Sequence, residues 1–207
     1  RLERFVADWQ FMHSELSADS IHKRPPTGYK VAVIGSGPAG LTCAHHLSLK
    51  GYPVTIFESE DRPGGMLFYA IPSYRLPREV IEREIDSLLD ENITLQLGTA
   101  LGRDVTLDDL MSNGYSAVFV ALGAHKSLRL DIEGEDVPGV YPSIQFLKAF
   151  NAKGEMLAKG HVGIVGGGNS ALDAALQLMK IAKKVYIINN TPKLGGDTVM
   201  REKVEAN

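Results

Sequence analysis

Gly35, Gly37 and Gly40, followed by Glu58, are the residues of this chain whose types and spacing could do chemistry. They lie in the run Val31-Ala32-Val33-Ile34-Gly35-Ser36-Gly37-Pro38-Ala39-Gly40. There Gly35 allows a tight turn out of an apolar strand, and Gly37 lets a pyrophosphate approach the backbone. Gly40 lets the following helix pack close against the sheet. The helix start then offers unpaired N–H groups and a partial positive charge to phosphates. Glu58 closes the next strand, 21 residues after Gly37, placed to accept both ribose hydroxyls of an adenosine. A G-x-G-x-x-G alone is a weak signal. Between a buried strand and a helix, with an acid at this distance, it reads as dinucleotide binding and not as a plain turn.

The arrangement recurs at a constant offset of 131 residues. Val162-Gly163-Ile164-Val165-Gly166-Gly167-Gly168-Asn169-Ser170-Ala171 repeats the first run, with the alanine ending that the same packing accepts. Val54-Thr55-Ile56-Phe57-Glu58 maps without a gap onto Val185-Tyr186-Ile187-Ile188-Asn189. One supersecondary unit is used twice. The second copy carries Asn189 where the first carries an acid; an asparagine hydrogen-bonds a ribose hydroxyl without the charge assistance of a carboxylate. Asn189, Asn190 and Thr191 supply no arginine for a 2′-phosphate, which favours NADH over NADPH, although Lys193 and Arg201 follow.

The elements that must position these loops are readable around them. Leu2, Phe5, Val6, Trp9 and Met12 fall on one face of an amphipathic helix. Residues 20–28, with Pro25, Pro26 and Gly28, read as a linker. Val31–Ile34 and Val54–Phe57 read as parallel strands around a helix with Ala39, Leu41, Ala44, Leu47 and Leu49 on one face. Pro77 opens a helix carrying Val80, Ile81, Ile85, Leu88 and Leu89. Ile93–Leu97 is a strand, and Ala117–Leu122 is a buried strand ending at Gly123. The expected organisation is a helical arm and linker over 1–27, a first nucleotide domain over 28–150, a linker over 151–160 and a second nucleotide domain from 161 to 207.

Composition removes other classes. The 44% hydrophobic and 23% charged residues are those of an ordinary globular protein. Twenty-two Lys and Arg against 25 Asp and Glu leave a net charge of −3, with no basic excess for nucleic acid or acidic membranes. The longest apolar run is far below the roughly 20 residues of a membrane span. No leader pattern opens the chain, so a cytoplasmic location is expected. The chain begins inside a helical pattern without Met, which predicts further sequence upstream. Cys43 is the lone cysteine, which excludes an internal disulfide or a cysteine-built metal site within these residues. It reads as a small core residue rather than a reactive thiol. His45 and His46 are adjacent on one helix and make a poor metal pair. Tyr69 and Tyr74 read as packing residues or shields of a bound ring; His125 follows the Gly123 turn, where it could approach the same ring, but with no partner identifiable it reads as a loop histidine, and Glu133, Glu135 and Asp136 read as a solvated turn. Hydrolase, P-loop and zinc-protease motifs are lacking.

Several further runs carry a family resemblance: Gly64-Gly65-Met66, Ile71-Pro72-Ser73-Tyr74-Arg75-Leu76-Pro77, Ala121-Leu122-Gly123-Ala124 and Ile132–Val140. On them the chain resembles FAD-dependent pyridine-nucleotide oxidoreductases of the glutamate synthase small-subunit type and the matching domains of dihydropyrimidine dehydrogenase. From Val162 onward, on Gly166–Ala171 with Asp173, it is similar to thioredoxin reductase. The resemblance implies an α/β fold: a Rossmann-like FAD-binding domain followed by the beginning of a second Rossmann-like NAD(P)-binding domain. It implies FAD contacts at Gly35, Ser36, Gly37, Pro38, Ala39, Glu58, Ser59, Gly64, Gly65, Met66, Arg75, Leu101 and Gly123. NAD(P)H contacts are implied at Gly166, Gly168, Asn169, Ser170, Ala171, Asn189 and Asn190. No catalytic acid, base or metal ligand is implied, because the cofactor carries the chemistry. The chain departs from the family in lacking the upstream cysteine-rich segment and the Cys-x-x-Cys before Gly166. It also has Asn190 and Thr191 in place of arginines. The expected function is hydride transfer from NAD(P)H to flavin in a fragment of a longer enzyme, with an iron–sulfur segment or partner subunit as acceptor. The alternative is a non-catalytic FAD-binding scaffold or regulatory subunit. The Gly35→Ala, Glu58→Ala double variant is expected to lose FAD with the sheet intact.

Overall fold

The computed structural model describes residues 2–13 and 23–206. Residues 20–22 of the expected linker lie outside the described residues. The chain divides into two compact units, Arg1–Ala152 and Lys153–Asn207.

The first unit is built on a four-stranded, all-parallel sheet in the order β3-β2-β1-β4. Its strands are β1 (Lys30–Ile34), β2 (Val54–Phe57), β3 (Ile93–Gln96) and β4 (Tyr115–Val120). Helix α1 (Leu2–Met12) precedes the sheet, α2 (Pro38–Leu49) joins β1 to β2, and α3 (Met66–Tyr69) and α4 (Arg78–Leu88) join β2 to β3. Helix α5 (Leu107–Ser112) leads into β4, and α6 (Ser143–Lys153) follows it. Side chains of a strand alternate between faces, so β1 feeds two cores. Val33 packs with Val54, Ile56, Leu41, Ala44, Ile81 and Ile85 under α2 and α4. Ala32 and Ile34 pack with Phe57 and Leu110 under α5. Burying a side chain of this size contributes about 1.5–3 kcal/mol, and β1, buried along Val31–Ile34, therefore anchors the loop that leaves it.

Two expectations are corrected here. The strand expected to be buried over Ala117–Leu122 is β4, and Phe119, Val120 and Leu122 are 41%, 52% and 51% exposed. Among the described residues it is an outer strand paired only to β1, and the packing around it places α5 on one face. The apolar stripe of α1 is exposed as well: Phe11 lies under the Arg83 guanidinium at 4.1 Å and Asp8 meets the same arginine at 3.6 Å, while Leu2, Phe5, Val6 and Met12 face out. Residues 151–153, expected in a linker, are the last turn of α6. Of the earlier linker, the 23–28 stretch is irregular as expected but tied down. Arg24 N–H donates to the Leu49 carbonyl and Thr27 N–H to that of Gly51, and Lys23 pairs with Asp90 and Glu91.

The second unit contains a parallel pair, β5 (His161–Val165) and β6 (Lys184–Ile188), joined by α7 (Asn169–Leu178), with α8 (Thr198–Glu205) after β6. Leu172, Ala175 and Leu178 of α7 are its buried residues. The internal repeat is a structural one: Val31 pairs with Val54 and Val162 with Val185.

Candidate functional site

Both glycine loops have the same local geometry. Gly35 and Gly166 take positive φ of 103° and 125°, and each donates its N–H to the last carbonyl of the neighbouring strand, Phe57 at 2.8 Å and Ile188 at 2.9 Å. Gly37 and Gly168 cap the following helices in extended conformation, and neither helix has a side-chain cap. The first-turn N–H groups of α2 and α7 are thus left for an outside acceptor. A β-carbon on Gly37 or Gly168 would meet nothing within 4 Å, so each opens onto free space. A β-carbon on Gly40 would lie 1.9 Å from the Gly35 carbonyl oxygen, which shows how closely α2 packs on the turn. One on Gly35 would lie 2.4 Å from the Ala121 carbonyl oxygen. A methyl at Gly35 would press on the β1–β4 junction, so the Gly35→Ala, Glu58→Ala variant is expected to disturb the sheet as well as the site.

Glu58 is 6% exposed and its carboxylate is saturated by the loops around it. One oxygen accepts from Ser36 N–H at 2.9 Å and Ser36 Oγ at 2.5 Å; the other accepts from Glu60 N–H at 2.9 Å and Ser59 Oγ at 3.2 Å. Burial pushes its pKa up, but the Ser36 hydroxyl, the two backbone N–H groups and Ser59 outweigh it and hold the carboxyl below its ordinary value. Glu58 thus fixes the glycine turn as an anion. Gly64 N–H donates to the Ser36 carbonyl at 3.0 Å, docking the Gly64-Gly65 segment on the same turn.

Above this turn lies a cleft of about 780 Å³, part of it open to solvent. The structure brings Gly35, Gly37, Pro38, Ala39, Glu58, Ser59, Gly65, Met66, Leu101 and Gly123 together on its walls. Ser36, fully buried, and Gly64 lie beneath the turn and shape it from behind. Arg75 is exposed in the turn that follows Pro72 and does not line the cleft. Sequence reasoning missed Glu60, Thr99, Ala121 and Leu122, and it preferred a loop reading of His125 over an approach to the bound ring; all five line the cleft. Parallel order could have found them, since segments leaving adjacent strands meet at one sheet edge. Tyr69 is 2% exposed with its hydroxyl on Asp61 at 2.9 Å, a packing residue, and Tyr74 is exposed.

In the second loop Gly166, Gly168, Asn169, Ser170 and Ala171 form the corresponding turn and helix start. Asn169 Oδ1 accepts from Asp197 N–H at 2.6 Å, and Gly195 N–H donates to the Gly167 carbonyl at 2.8 Å, so the 195–197 segment leans on the turn. Asn189 turns its amide N–H₂ into its own loop, to the Thr191 carbonyl and hydroxyl and the Lys193 carbonyl. Asn190 is exposed. The Ser36–Glu58 pair of the first unit is thereby exchanged for Gly167–Asn189: a β-carbon on Gly167 would lie 2.5 Å from Asn189 Oδ1.

The remaining singled-out residues have structural surroundings. Cys43 packs against the first core, and burial raises its thiol pKa. His45 and His46 do meet edge-on, 5.8 Å between ring centroids, because the rings turn toward each other, but His45 Nδ1 lies 3.2 Å from the Leu88 carbonyl oxygen. The acidic turn is laced rather than merely solvated: Glu135 accepts from the N–H groups of Leu130 and Asp131, and Asp136 pairs with Arg129 at 2.5 Å. Among the described residues no cluster of three or more His, Cys, Asp or Glu side chains could hold a metal ion, and no helix is long and apolar enough to cross a membrane.

This pair of glycine turns on parallel strands defines a Rossmann-like α/β fold. The family model described as pyridine nucleotide-disulphide oxidoreductase matches residues 29–206, and the chain belongs to that family. It is 45% identical over 166 residues to the NADP(+)-dependent formate dehydrogenase subunit beta of Moorella thermoacetica, covering 78% of this chain and 23% of that protein. It is 38% identical over 204 residues to the glutamate synthase (NADPH) small chain of Bacillus subtilis strain 168, covering 93% and 41%. The chain thus spans less than half the length of these relatives. Among solved structures, Mycobacterium tuberculosis FprA in complex with NADPH matches with a TM-score of 0.69 at 22% identity, over 88% of this chain and 48% of that one, a likeness of fold. The resemblance to the glutamate synthase small-subunit type, read from the motifs, agrees with these relatives.

Proposed function

We propose that the first unit holds FAD and the second holds NAD(P)H, in an NAD(P)H-linked oxidoreductase. The carrying observation is the repeated turn with an uncapped helix start and an open glycine, Gly37 in one unit and Gly168 in the other. In the first unit the diphosphate lies over Gly37 with the first-turn N–H groups of α2 donating to it. Glu58 and Ser59 face the adenosine ribose, Ser59 being the exposed hydroxyl able to leave Glu58 and turn to a ligand. In the second unit Gly168, Asn169 and Ser170 take the nicotinamide cofactor's diphosphate. When bound, the flavin supplies the redox chemistry, accepting a hydride from NAD(P)H and passing the electrons on. This chain's residues bind, orient and exclude water.

The preference for NADH read from Asn189–Thr191 finds no support in the relatives, whose names carry NADP(+) and NADPH; the donor is taken as NAD(P)H. Those names, subunit beta and small chain, also support an acceptor carried by a partner subunit; a cytoplasmic location belongs to the proposal. The test is anaerobic titration of the purified full polypeptide: its flavin band should bleach with NADPH or NADH. A flavin band that persists with both donors establishes the scaffold reading instead.

A further inference from the structure

The walls of the first-unit cleft are unequal in charge. On the flank built by β2 and β3 stand two acids, Glu58, saturated by its loop, and Glu60, ion-paired with Lys148 of α6. On the opposite flank β4 runs out directly against the glycine turn, its Ala121 carbonyl abutting Gly35. Two residues beyond Gly123 the chain places His125, whose ring folds back so that Nε2 lies 3.6 Å from where a β-carbon of Gly123 would be. Among the residues lining the cleft, His125 is the one side chain that can carry positive charge or donate from a ring N–H at that flank.

We propose that His125 is a further contact of the bound dinucleotide, donating an imidazole N–H to the diphosphate from the β4 side. The helix start of α2 donates from the other side. The inference rests on the reading of the cleft as an FAD site, and it adds a specific role: a side-chain donor that meets the diphosphate from the flank opposite the backbone N–H groups of α2. A donor to an ionised phosphate is of the stronger class of hydrogen bond, and its loss corresponds to about a tenfold weaker affinity or more.

The experiment uses the full polypeptide stripped of flavin, with FAD affinity followed by flavin fluorescence and with ADP and adenosine as competitors. His125→Ala should weaken FAD and ADP about tenfold and leave adenosine unchanged. His125→Gln, which keeps an N–H donor, should recover most of that loss. Equal FAD affinity in wild type and His125→Ala overturns the assignment, as does an equal loss for adenosine and ADP, which would make the ring a packing surface for the base. Failure of the wild-type chain to retain FAD at all would remove the cleft reading and His125's role with it. That result is visible before any variant is made.

Discussion

Gly37 and Gly40 stand three residues apart and should fail in different ways. Gly37 has an ordinary φ of −69° and open space where a β-carbon would go, so Gly37→Ala should melt within about 0.5 kcal/mol of wild type while losing FAD by more than about tenfold. Gly40→Ala drives a methyl into the Gly35 carbonyl and should cost at least about 1–3 kcal/mol, read as a lowered melting temperature. Glu58→Gln replaces two acceptor oxygens with one and leaves donors of the turn unpaired, a loss of about 1–3 kcal/mol at neutral pH. Because the folded carboxyl titrates below its ordinary value of about 4.5, its stabilisation is fully present above that value. It disappears as the pH falls through the depressed one. The gap between wild type and Glu58→Gln should therefore narrow in acid denaturation series below about pH 4.5; a constant gap would show that the charge does not matter.

At the level of elements, the Ser48–Asp90 contact joins the end of α2 to the turn before β3. Ser48 is fully buried, and its hydroxyl donates to both Asp90 oxygens at 2.7 Å. Asp90→Ala leaves that buried hydroxyl without an acceptor and Lys23 without a partner in it, an expected cost of about 1–3 kcal/mol. Ser48→Ala, which leaves Asp90 with Asn92 N–H and Lys23, should cost less in the same thermal melts. The sheet strands, α2 and α4 were legible because their apolar residues recur at the period of their element and end at Gly or Pro. Four helices escaped: α3, α5, α6 and α8. Helix α3 is a single turn, too short for any period. Helix α5 had a readable start, since Thr106 and Asp109 form a reciprocal capping box, and α8 begins at Asp197, which caps Val199 N–H. The exposure of β4 was not legible, because a run of Ala, Val, Phe and Leu has the same composition at an edge as in a centre. Of the site, the loop glycines and Glu58 are in the motif. Glu60, Thr99 and His125 join it only through strand order, which no local window contains.

For the whole molecule, the two units should lose ligands independently. Gly168→Ala, also opening onto free space, is expected to weaken NAD(P)H by more than about tenfold and to leave bound flavin per chain unchanged. Gly37→Ala should do the reverse. Equilibrium dialysis with each nucleotide separates the cases, and a variant that loses both would argue against one nucleotide per unit.

The exchange of Ser36–Glu58 for Gly167–Asn189 has an evolutionary corollary. Installing serine at 167 alone crowds the Asn189 amide, and installing glycine at 36 alone strips Glu58 of its shortest partner. Either single change therefore asks something of its neighbour: the Asn189 side chain must turn aside in the second unit, and Glu58 loses a donor in the first. The two positions of each pair are thus expected to change together.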